Sequence, residues 1–127
     1  MFTSTSHNRN CPIGTIGGSL IRDGSILHVD RMADQIEVTV EVTTRRRSLA
    51  HNDATSVFSV VFDDVTSVSM LHPKGMLFSS ILEWEIDAPL RCFEFANQFQ
   101  PGDDWDPHLA ESRLEIVASQ VSIHEPH

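Results

Sequence analysis

The chain has 127 residues, a length that supports one core and buries roughly two thirds of the unfolded surface. Hydrophobic residues make up 40% and charged residues 21%, which argues against disorder of the whole chain. The formal charge of -9 is regional: residues 1–47 hold six basic and five acidic side chains, whereas residues 48–127 hold three and thirteen. Such a surface repels phosphate backbones, so no nucleic-acid partner is expected. The one basic run, Arg45, Arg46 and Arg47, alternates faces in a strand and reads as a solvated strand end.

Cys11 and Cys92 are too few and too far apart for a zinc signature or a disulfide framework, although a single bridge stays open. No apolar run reaches signal-peptide or membrane-spanning length. No membrane association is therefore expected, and the expected compartment is the cytoplasm, with both thiols reduced.

In chain order, residues 1–19 mix Ser, Thr, Asn and Gly and are expected to form a flexible leader. Residues 20–127 then form a single β-rich domain. Asp23-Gly24 is a turn signal, consistent with a tight hairpin from Leu20 and Ile21. Leu27 and Val29 alternate with His28 and Asp30, a turn at Ala33-Asp34-Gln35 comes next, and Ile36, Val38, Val40 and Val42 alternate with Glu37, Thr39, Glu41 and Thr43. That pattern predicts a half-buried strand with its hairpin partner before it.

Val57, Phe58, Val60, Val61 and Phe62 make a nearly continuous apolar run, the pattern of a strand buried on both faces. Val65, Val68 and Met70 predict a weaker strand that ends at His72-Pro73-Lys74-Gly75. Leu82, Trp84 and Ile86 share one side of a strand whose other side holds Glu83 and Glu85, and Phe93 and Phe95 alternate with Cys92 and Glu94. Residues 98–108 form the longest irregular insertion, and 109–112 suit one helical turn. Leu114 and Ile116 face opposite to Val121 and Ile123 by strict alternation, so a bulge is expected near Ala118 or Ser119. The expected architecture is all-β or mostly β: an antiparallel β-sandwich or partly closed barrel with at most one short helix.

The seven histidines, at 7, 28, 51, 72, 108, 124 and 127, form neither a His-Glu-x-x-His arrangement nor a close His-x-His pair, so no metal site and no cofactor are expected. No nucleophile elbow surrounds Cys92 or Cys11, and no catalytic residue is assigned. Glu83 and Glu85 read as outward charges, and Gly14, Gly17 and Gly18 lack the spacing and lysine of a phosphate loop. The segment Asp103-Asp104-Trp105-Asp106-Pro107-His108 concentrates carboxylates, an indole and an imidazole without EF-hand spacing. An aromatic among charges has the composition of an interface anchor and its rim, with a solvated loop as the plain alternative. The candidate protein-binding residues are accordingly Asp103, Asp104, Trp105, Asp106 and His108.

From Ile21 to Glu125 the order of features resembles small bacterial β-rich domains of unknown function, among them immunity-type proteins associated with polymorphic toxins. The residues that carry the resemblance are Arg22-Asp23-Gly24-Ser25-Ile26-Leu27, the alternating strand to Val42, Val61-Phe62-Asp63-Asp64-Val65, and Leu114-Glu115-Ile116. These are turn and core residues, and no catalytic residue comes with them. The resemblance implies a non-catalytic protein-binding module such as an immunity-type inhibitor, whose acidic second part attracts a basic protein partner. Two alternatives stand beside it: a small metal-assisted hydrolase that gathers histidines and aspartates by folding, and a homo-oligomeric structural module paired through strand edges.

Overall fold

The computed structural model describes residues 14–17, 21–44, 54–99 and 111–125. Among the described residues there are nine strands: β1 Gly14–Thr15, β2 Gly24–Met32, β3 Gln35–Thr44, β4 Ala54–Asp63, β5 Ser67–Leu71, β6 Leu77–Asp87, β7 Leu90–Asn97, β8 Arg113–Ala118 and β9 Gln120–His124. They form one antiparallel sheet in the order β5-β8-β7-β6-β2-β3-β4-β9, with β1 paired to β6. The sheet does not close into a barrel, because its two ends, β5 and β9, are not paired with each other. The expected all-β, antiparallel class holds. All of the helical turn expected over 109–112 except Glu111 and Ser112 lies outside the described residues.

The clearest alternation in the sequence forms the middle of the sheet. Ile36, Val38, Val40 and Val42 of β3 are buried, and β2 lies antiparallel to them across a two-residue turn. Ala33 in that turn has φ 52°, the left-handed geometry such turns favour. The expected core position of Leu27 is corrected. The β2–β3 register shifts between Ile26 and His28, so Ile26 is fully buried, Leu27 is 38% exposed, and Val29 returns to pack against the core. One extra residue in a ladder reverses the facing of every later side chain, which strict alternation cannot anticipate.

The reading of β4 as buried on both faces is also corrected. Phe58, Val60 and Phe62 are buried, while Val57 and Val61 on the other face are only half-buried. Their cross-strand neighbours there are Glu41 and Glu37 of β3 and, for Val61, Ser122 of β9. Among the described residues, only one face of β4 meets another layer.

That layer is the other half of the same sheet. Phe62 of β4 packs on Phe93 of β7 with ring centroids 5.1 Å apart, and Phe78 of β6 meets Phe95 edge-on at 5.4 Å. The sheet therefore folds back on itself, and β5-β8-β7-β6 and β2-β3-β4-β9 enclose one core. At roughly 25 cal/mol per Å2 of apolar surface, burial of this kind is the main stabilising term.

The chain crosses between layers over residues 64–66 and again at Ser119. The bulge expected near Ala118 or Ser119 is corrected: the alternation changes there because the chain changes layer, β8 pairing with β5 and β7 and β9 with β4. The two crossings are tied together, since the Ser119 hydroxyl donates to Asp64 Oδ2 at 2.9 Å and the Thr66 amide donates to the Val117 carbonyl.

Residues 14–17, expected within the leader, are packed on the sheet instead. Gly14 and Thr15 pair with Glu83 and Leu82, the Ile16 amide donates to the Ile81 carbonyl, and Ile16 is buried. A single apolar side chain among Gly and Thr leaves no periodic signal. Ile21 is likewise buried outside any strand, the Asp23 amide donates to the Ser79 carbonyl, and Leu20, the other residue of the expected tight hairpin, lies outside the described residues. Gly17 has φ 81°, and a Cβ there meets the buried Ile21 side chain at 2.8 Å. Gly17→Ala is expected to destabilise the domain by about 1–3 kcal/mol, read from the denaturant midpoint, whereas an unattached leader predicts no change.

Candidate binding face

The five residues singled out in the sequence, Asp103, Asp104, Trp105, Asp106 and His108, lie outside the described residues. Their place in the chain is fixed by what flanks them: β7 and β8 are antiparallel neighbours, and this segment is their connection. Both ends of it are anchored. Asn97 Nδ2 donates to the Ser112 carbonyl at 2.8 Å, the Phe99 amide donates to Asn97 Oδ1, and Gln98 bonds to the backbone of Leu77 and Phe78.

The neighbouring sheet surface differs from the sequence reading. A register shift between Phe78 and Ser80 lets both Phe78 and Ile81 face the core, so the side chains after it reverse. Leu82 and Trp84, which the alternation places opposite the glutamates, stand on the outer face, opposite Glu94 and Cys92 of β7. The Trp84 indole donates to Glu94 Oε1 at 3.1 Å. Cys92 is completely buried although its face is turned from the core. No periodicity announces this, because the bulge sits in the Ser79-Ser80 pair and both serines suit either face.

Glu83 and Glu85 correspondingly fall on the side of Ile81, where Glu83 is half-buried while Glu85, nearer the strand end, stays exposed as an outward charge. Arg91 resolves the conflict at the end of the core: it pairs with Glu83, donates to the Ser119 carbonyl at 3.1 Å, and lies 5.3 Å above the Phe93 ring. A guanidinium serves here because its fork and its flat face engage both carboxylate and ring.

On the outer face Glu94 and Glu115 are direct cross-strand partners, with Ser69 of β5 next across the sheet. Like charges placed so are mutually destabilising. Glu94→Gln, which keeps an acceptor for Trp84, is expected to raise stability by about 0.2–1 kcal/mol in a urea titration, and a loss of similar size contradicts this placement. Beside the pair lies an open concavity of about 340 Å3, lined by Thr66, Ser67, Ser69, Ile86, Leu90, Glu115 and Val117. Its chemistry is an apolar floor, a hydroxyl wall and one carboxylate, a combination that suits a long side chain with a cationic end.

The described histidines are dispersed, with His28 on β2, His72 in the turn after β5 and His124 on β9, where His124 Nε2 bonds the Ser122 hydroxyl. Among the described residues no three His, Cys, Asp or Glu side chains are grouped to hold a metal, and no helix is long and apolar enough to cross a membrane. Compared with known proteins, the chain matches no protein-family model, no curated protein and no solved structure.

Proposed function

We propose that this chain is a non-catalytic protein-binding module that engages a basic partner, as an immunity-type inhibitor does. The observation that carries the reading is the outer face of β6-β7-β8-β5, where Trp84, Glu94 and Glu115 adjoin an apolar concavity. Thirteen acidic against three basic side chains after position 47 support it, since complementary charge accelerates encounter and selects partners. Asp103, Asp104, Trp105, Asp106 and His108 have the composition of an interface anchor with a charged rim, and the segment that holds them joins β7 to β8 in the chain.

Affinity capture from the native host tests this. A single stoichiometric basic partner is expected, with binding that weakens as salt rises and falls at least about tenfold on Trp105→Ala combined with charge reversal of Asp103 and Asp104. No specific partner, or a complex indifferent to those changes, contradicts the reading.

A homo-oligomeric module is the second reading, supported by two sheet edges, β5 and β9, that among the described residues pair on one side only. Sedimentation at rising concentration separates the two readings, because a strictly monomeric chain eliminates the second.

A further inference from the structure

Among the described residues, β5 is an edge without the usual protection. Exposed edges are ordinarily blunted by a charge, a proline or a bulge. β5 reads Ser-Val-Ser-Met-Leu, and its register with β8 is unbroken from Ser67↔Val117 to Leu71↔Arg113. Met70 and Leu71 are 43% and 38% exposed. The concavity lies against this same strand: Ser67 and Ser69 form its wall, and Glu115 stands directly opposite Ser69.

We propose that β5 is the docking edge for an extended segment of a basic partner protein, which joins the sheet as a further strand and sends a lysine or arginine across Ser67 and Ser69 to Glu115. The inference rests on the protein-binding reading above and specifies its site and partner chemistry. Added strands supply main-chain hydrogen bonds for affinity, and pockets for alternate side chains supply specificity. Strands lie about 4.8 Å apart, so a side chain on the added strand starts roughly 10 Å from the β8 backbone. Only a long side chain meets Glu115 across that gap, and the adjacent Glu94 selects for positive charge. A second copy of this chain fits poorly, because it brings a net charge of -9 and neither β5 nor β9 carries a lysine or arginine to place in the concavity.

The test uses the full chain and two synthetic extended peptides, one alternating valine with arginine and the other valine with glutamate, monitored by amide-resolved NMR. The arginine peptide is expected to perturb and protect the amides of 67–71 and to bind at least about tenfold tighter than the glutamate peptide. Glu115→Gln is expected to reduce that preference by about tenfold, and Ser67→Lys, at an exposed position, to abolish it by occupying the concavity from within. Equal affinity for the two peptides, no binding, perturbation centred on β9, or self-association through β5 overturns the proposal. Perturbation centred on residues 103–108 also overturns it while leaving the protein-binding reading standing. That reading fails separately, by the absence of a specific partner in the native host.

Discussion

Phe62→Ala is expected to lower the unfolding free energy by about 3–5 kcal/mol, a large part of the total for a domain of this size. Phe62 is fully buried on β4, and its ring touches both Phe93 and Phe95 of β7, so it joins the two halves of the folded sheet. Truncation removes apolar surface from both layers and leaves a cavity that neither can collapse to fill. Val61→Ala, one residue along the strand and on the opposite face, provides the contrast, with an expected loss of about 1 kcal/mol or less. Chemical denaturation of the two variants checks both. Equal losses would mean that β4 is covered on both sides, as its continuous apolar run suggests.

Gly24→Ala is expected to destabilise by about 1–3 kcal/mol or more. Gly24 pairs with Val42 of β3 on one side and Phe78 of β6 on the other, at the short ladder where the two halves of the sheet are joined. A Cβ there meets the Glu41 carbonyl oxygen at 2.6 Å and the Phe78 ring at 3.0 Å. The first contact is with backbone and cannot rotate away, so β2 must move off β3 or the join must open. Ser25→Ala, the next residue and only half-buried, is expected to stay within about 0.5 kcal/mol of the parent in the same measurement.

Much of the fold is legible in the sequence where alternation is uninterrupted. Ile36, Val38, Val40 and Val42 are buried as their spacing requires, and Phe93 and Phe95 face the core while Glu94 does not. Alternation fails at bulges, because one extra residue reverses every side chain beyond it. Leu27 is exposed after the shift in β2, and Trp84 changes face after the shift in β6. Both bulges depend on how neighbouring strands meet, and no local residue type demands them. The conflict between Leu114 and Val121 is visible because both flanking segments are strongly patterned, and it marks the place where the chain changes layer.

The candidate face is harder to read than the fold. Its components come from β5, β6, β7 and β8, and they share a surface only once the register is set. Glu115 is half of an ordinary alternating strand in the sequence, yet in the fold it opposes Glu94 and lines the concavity beside β5. Trp84, grouped with the core by its spacing, is instead bonded to that same Glu94.

Hydrogen exchange on the complex with the partner captured from the native host tests the central claim most directly. Protection is predicted over residues 67–71, 100–110 and 113–117, with the outer face of β2, β3, β4 and β9 exchanging as it does in the unbound chain. Protection confined to that second face, with 67–71 and 113–117 unchanged, would contradict the assignment of the working surface to the β5-β8-β7-β6 half.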